Sequence, residues 1–292
     1  MATRRVYVDS RFRHSGDEGD FRIILDTPIE LSEGAIGYID NICVSNTFPT
    51  LISGVNNRLY VRQRMRYVAN GDPKDTNLVL AAGQYTTATL ATEIATKLNQ
   101  ITVDPAVTYT VTAAADGTTL TVTMTGPVDA SGGTSLKILT SQEVDAGGPA
   151  DWGQTNTSHG GLPAARAPEK HQDAGTIVGM ASGTFSLLVN ESLTSGFVSM
   201  IPYRTLFLHS HLGSPLSVGP RGENTIVRRL IVGHTLPGQV VLDNLGTELD
   251  NIELPPMLSE MHFSVRDIYG RPVKLSHSIS FALVIKEFPR GK

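Results

Sequence analysis

Apolar residues recur at every second position in run after run of this chain and at helical spacing in one stretch only, which restricts it to a fold built from sheets. Val107, Tyr109 and Val111 alternate with threonines, and Leu120, Val122 and Met124 alternate with Thr119, Thr121, Thr123 and Thr125. Asp116-Gly117 between the two runs is a hairpin signal. In the last run Ile279, Phe281, Leu283 and Ile285 face one way and Ser280, Ala282 and Val284 the other. Further runs predict strands over Phe21–Leu25, Gly34–Phe48, Arg58–Val68, Ser135–Thr140, Gly183–Val189, Thr205–His211, Thr225–Val232, Gln239–Leu242 and Met261–Arg266. The helical exception is TATLATEIATKLNQ, where Leu90, Ile94 and Leu98 are spaced by four. Thr86 or Thr87 supplies its N-cap, and Asp104-Pro105 lies past its end. Many short strands without helices between them predict a mainly β, antiparallel sandwich or barrel rather than a βαβ sheet.

At 292 residues, the chain holds one large sandwich with an insertion, or two domains. The texture divides it into first strands over 1–69, a small α+β helix-plus-hairpin unit over 70–145, a Gly/Ala/Pro-rich linker or long loop over 146–175 around Trp152, and C-terminal sandwich strands over 176–292. Lys286–Lys292 reads as a charged tail outside the sheet. A formal net charge of −4, with 18% charged residues, gives no basic field, so nucleic acid is not the expected partner. Cys43 is the one cysteine, which excludes an intramolecular disulfide and any two-thiolate metal or redox site; it reads as a small buried hydrophobe. The start MATRRVYVDSRFRHSGDEGD lacks the apolar core of a signal peptide, and no run of about 18 apolar residues follows. Synthesis in a reducing, aqueous compartment is expected, with the N-x-S/T matches at Asn156 and Asn190 due to chance.

A P-loop, a GxSxG elbow, an HExxH pair and an EF-hand loop are all missing from the sequence, so no catalytic residue, cofactor or metal ligand is assigned. Asp173-Ala174-Gly175-Thr176 resembles an aspartic-protease loop but occurs once, without the apolar strand such loops follow. His209 and His211 alternate on a strand without a third ligand, and read as structural or interface histidines. Asp17, Glu18 and Asp20 read as a solvated loop in preference to a calcium site. Two arginine groups stand out. Arg58, Arg62, Arg64 and Arg66 share strand parity, and form either a solvated outer face or a contact, with an acidic neighbouring subunit ahead of nucleic acid. Arg4, Arg5, Arg11 and Arg13 form either a basic arm that orders on a partner or a disordered tail.

Several stretches, in order, carry a family resemblance. VYVDSRFRHSGDEGDFRIILDTPIEL leads to GYIDNICVSNTFPTL and NNRLYV; the pattern L-x-x-G-x-Y-T-x-x-x-L-x-x-x-I-x-x-x-L runs from Leu80 to Leu98; MHFSVRDIYGRPVKLSHSISFALVI closes the set. Together they resemble the minor capsid or penton proteins of double-stranded DNA viruses whose major capsid protein is a double jelly roll, virophages and polinton-like viruses above all. The resemblance covers most of the chain and is one of pattern and order. It implies a jelly-roll sandwich with a second domain that projects or braces, five copies closing a ring at each vertex, and contacts with the major capsid protein and other minor capsid proteins in the virion. No catalytic residue carries over. The alternative reading is a receptor-binding or tail-fibre-type attachment module. That class carries heptads or short β repeats for trimerisation, or exposed aromatics for carbohydrate, and this chain has no such repeats and only 6% aromatic residues.

Overall fold

The structure is a computed structural model that describes residues 2–64, 74–102, 104–127, 134–140, 143, 173–180, 185–213, 218–219, 222–233, 238–243 and 251–288. In chain order the elements are β1 (Ala2–Asp9), β2 (Ser15–Gly16), β3 (Asp20–Glu30), β4 (Ile36–Ser45), β5 (Arg58–Arg64), β6 (Lys74–Val79), α1 (Thr87–Ile101), β7 (Thr108–Ala113), β8 (Leu120–Thr125), β9 (Ser135–Leu139), α2 (Gly175–Val178), β10 (Phe185–Leu188), β11 (Ser192–Thr194), β12 (Thr205–Ser210), β13 (Ile226–Ile231), β14 (Val240–Asp243), β15 (Ile252–Glu253), β16 (Met257–Arg266) and β17 (Ile279–Glu287). They form two compact units, one of Met1–Phe48 with Tyr203–Lys292, the other of Pro49–Pro202.

The first unit is nested from the outside in. β1 pairs with β17, β3 with β16, β4 with β14, and β12 with β13, all antiparallel. The pairings of β17 with β4 and of β16 with β12 gather these into two sheets, β1-β17-β4-β14 and β13-β12-β16-β3-β2, with β15 added beside β4. First strand with last, second with second-last, folded over into two sheets, is a jelly roll. The second unit is inserted between its third and fourth strands.

Alternation along each strand puts one apolar set between the sheets. Phe263 on β16 meets Phe281 on β17 edge to face, 4.8 Å between centroids, and Phe21 on β3 lies 5.8 Å from Phe263. At the other side Arg228 of β13 holds Asp243 of β14 through two hydrogen bonds of 3.0 and 2.8 Å, tying an edge of one sheet to an edge of the other. The buried residues of β4 are Gly37, Ile39, Ile42 and Val44, a spacing that breaks alternation once. The break is a β-bulge, with one extra residue on β4 opposite β17 and Asn41 at φ 52°, a conformation asparagine tolerates better than most residues.

In the second unit, the sheets β10-β9-β5-β6 and β11-β8-β7 share one core with α1. Leu90, Ile94 and Leu98 of α1 are buried with Leu59 and Val61 of β5, Tyr109 of β7, Val122 of β8 and Ile138 of β9. Thr86 caps α1 reciprocally: its hydroxyl accepts from Thr89 N, and Thr89 Oγ1 accepts from Thr86 N. Asn99, in the last turn, accepts from the backbone N–H of Tyr109 and donates to its carbonyl, fixing helix to strand. Gly117 takes φ 71° in the β7–β8 hairpin, as the Asp-Gly pair predicts.

The division differs from the one the sequence suggests. Arg58–Arg64, grouped there with the sandwich strands of 1–69, belongs to the second unit because its ladder partners are β6 and β9. Phe185–Leu188 and Ser192–Thr194, grouped with 176–292, pair with β9 and β8 in that unit. Of the expected linker 146–175, residues 146–172 lie outside the described residues, Trp152 and Asn156 among them, while Ala174 is buried and donates its N–H to the Arg58 carbonyl at 2.7 Å. Residues 65–68 of the expected strand Arg58–Val68 also lie outside the described residues. In β17 the second face is no solvent face: Ala282 and Val284 are buried as completely as Phe281. Lys286 and Glu287, expected in a loose tail, complete the ladder opposite Thr3 and Ala2.

Two substitutions test this architecture. Phe281→Ala removes the ring that joins the two sheets and is expected to cost about 3–5 kcal/mol in denaturant unfolding through the cavity left behind. Ile94→Asp, which buries an unpaired carboxylate among Leu90, Leu98 and Tyr109, is expected to lose the ellipticity of α1 and lower the melting temperature. A variant that melts like the parent would contradict the assigned core.

Candidate assembly surface

The arginines at strand parity do not make one exposed stripe. Arg62 is only 7% exposed, and its guanidinium meets Asp75 of the neighbouring strand through bonds of 2.7 and 2.8 Å. Asp75 is the register partner of Arg62 across β5 and β6, so the acidic contact expected from another subunit is made within the chain. Arg58 is half-buried, Arg64 is exposed, and Arg66 lies outside the described residues. On the other face of β5, Gln63 is buried and donates to the Tyr109 hydroxyl at 3.1 Å; burial pushes that hydroxyl up to about 12, so it stays protonated.

Arg4, Arg5, Arg11 and Arg13 belong to no free arm. Ala2–Asp9 is an edge strand paired with β17 over its whole length, and a single 3-10 turn, Ser10–Phe12, follows it. Arg4 reaches Glu287 at 3.2 Å, and Arg5 is exposed on the opposite side of the strand. Arg11 clamps Asp9, which holds that carboxyl below the ordinary range. Arg13 binds Glu18 at 2.7 Å and the Ser10 carbonyl at 2.8 Å. Ser10 donates to Glu18 and accepts from the backbone N–H of Ile279, so the turn is locked to β17.

The expected loop acids have structural work. Asp17 accepts from the backbone N–H groups of Gly19 and Asp20, Glu18 pairs with Arg13, and Asp20 meets His262 at 2.6 Å. His209 is buried with Nδ1 2.8 Å from the Thr225 hydroxyl, while His211 is exposed and accepts from the His262 N–H. Asp173 accepts from the Gly175 N–H at the start of α2. Cys43 is half-buried on the outer side of β4, not in the core, because the bulge at Asn41 sets Ile42 and Val44 inward. Among the described residues, no group of three or more His, Cys, Asp or Glu could hold a metal ion, and no helix is long and apolar enough to cross a membrane.

What the surface offers is edges and tips. Tyr7 and Phe12 at the β1 edge are 78% and 79% exposed, and Val240 and Leu242 stand out from β14 at the opposite edge of the same sheet. Between β16 and β17, Ile268 and Tyr269 project from a loop that Asp267 fixes: its carboxylate accepts from Tyr269 N, Arg271 N and Arg271 Nε, and its backbone exchanges two bonds with Gly270 and Arg271. Apolar side chains on so rigid a tip are prepared for contact at little entropic cost. The sequence concealed both: β1 carries only Val6 and Val8 as its inward signal, and Asp267 is one acid among many.

The topology and these edges define a jelly-roll protein with a large insertion. No protein-family model matches the sequence, and no curated protein does. Among solved structures, a crystal structure of the mavirus penton protein is similar over 98% of this chain and 99% of that one, with a TM-score of 0.52 at 10% identity. At that identity the likeness is one of fold, running from end to end of both chains.

Burial holds His209 below its ordinary value of 6.5, helped by the Arg266 charge. The unfolded state therefore binds the proton first, and the stability that neutral His209 contributes is complete above pH 6.5 and lost as the pH falls below it. Urea midpoints should fall between pH 7 and pH 5 more steeply for the parent than for His209→Gln; equal slopes would place the dependence elsewhere.

Proposed function

We propose that this chain is a structural virion protein, a minor capsid or penton component that closes icosahedral vertices as a homopentamer and contacts the major capsid protein and other minor capsid proteins. One observation carries the reading: the jelly roll and its insertion together match a penton protein over the whole length of both chains. The surface supports it. Exposed apolar groups such as Tyr7, Leu242, Ile268 and Tyr269 sit on strand edges and on a stapled loop, which suits contact with other folded chains better than capture of a small molecule. The chemistry is assembly, with no bond made or broken: each protomer folds on its own core and spends its edges and loop tips on neighbours. Its place is the capsid.

Native mass spectrometry and negative-stain microscopy of the purified protein test this. The expected result is a five-fold ring that persists on dilution into the micromolar range. A monomer at every concentration, or a trimer with the outline of a fibre head, would overturn it.

A further inference from the structure

The two sheets of the jelly roll end differently. The second is blunted at one margin by β2, two residues long and turned away at Gly16 with φ 93°, and at the other by β13, whose Arg228 is engaged with Asp243. In the first sheet β1 has no such protection: it is an eight-residue edge with an unbroken register and no proline. Among the described residues no strand lies beyond it, and β14 with β15 forms the opposite edge.

These two edges are complementary. At the β1 edge Arg5 is exposed, its neighbours Arg4, Arg11 and Arg13 being held by Glu287, Asp9 and Glu18, and at the β14–β15 edge Glu253 is exposed, while Asp243 is held by Arg228. Three antiparallel steps separate β1 from β14, so the two strands run in opposite directions and a neighbour turned about an axis along the strands would add antiparallel. The ladders also fix the levels. Thr3, Lys286, Ile36 and Glu253 form one row; Asp9, Ser280, Cys43 and Leu242 form another. Thr3, Arg5, Tyr7 and Asp9 share the outer face of the sheet with Leu242 and Glu253, as alternation requires.

We infer that β1 of one copy packs against the β14–β15 edge of the next at matched levels, which sets Tyr7 diagonally across from Leu242 and Arg5 diagonally across from Glu253. The contact is heterologous, one edge against a different edge, which is the kind that closes rings. It rests on the homo-oligomeric reading above and names the surface that reading leaves open.

Charge reversal and rescue test it. Arg5→Glu and Glu253→Arg should each raise the concentration of half-dissociation about tenfold or more by sedimentation, without changing the circular dichroism of the protomer, and the double variant should restore the parent value. Crosslinking gives a second measurement in case either reversal fails to fold. In a Cys43→Ala background, Tyr7→Cys protein mixed with Leu242→Cys protein should be joined by a short bismaleimide, and neither should be joined alone. If both reversals assemble like the parent, or the mixture gives no crosslink while rings persist, the edge contact is wrong and the vertex reading stands. If the parent never leaves the monomer, both fall together.

Discussion

Everything in the sandwich depends on the pairing of the first strand with the last. Ala2 to Asp9 lies against Glu287 to Ser280 without a slip, and this ladder fixes the order of the strands nested inside it. Such a contact is costly to find, because almost the whole chain must be gathered before it forms, and non-local strand pairing slows folding more than it weakens the product. Loop-closure entropy grows only with the logarithm of length, so an insertion as long as Pro49–Pro202 adds little to that cost at equilibrium. The inserted residues also fold around their own core, with α1 capped at Thr86 and pinned through Asn99.

The sequence showed this fold through its cores and hid it at its margins. β3, β4, β7, β8, β12, β13, β16, β17 and α1 were legible because each buries a face, and burial forces the period. β1 was not, since an edge strand with a solvated face carries arginines where an inner strand carries apolar residues. β6 was missed for a related reason: in KDTNLV the core-facing positions opposite Val61 and Leu59 are Thr76 and Leu78, which carry one apolar residue between them, and the other face holds Asp75 in its ion pair with Arg62. The unit boundary was misread because periodicity marks strands without naming their partners. The pairing of β5 with β9 and of β10 with β9 is information of register and long range, which no local pattern contains.

The functional residues were harder still. Equal parity grouped Arg58, Arg62 and Arg64, but parity reports only which side a residue faces, and Arg62 had been neutralised from the neighbouring strand. Arg5 reads from sequence as part of a basic arm or a disordered tail, and the ladder shows it standing, with Tyr7, on a paired edge. A jelly roll serves many purposes, so function has to be read from what its margins display. Here they display an exposed Arg5 on one edge of a sheet and an exposed Glu253 on the other, and an apolar tip that a single buried carboxylate holds in shape.

The chain leaves the jelly roll at Phe48 and returns at Tyr203, and there the two rings meet edge to face, 5.2 Å between centroids. Burial raises the Tyr203 hydroxyl to about 12, so the aromatic pair stays neutral throughout the physiological range. Exit and re-entry are thus welded together by the host domain, whatever sequence lies between. A lineage can lengthen, trim or exchange the inserted unit without moving one rung of the ladders on either side, which makes this junction a socket: the jelly-roll frame can stay constant while what is plugged into it diverges.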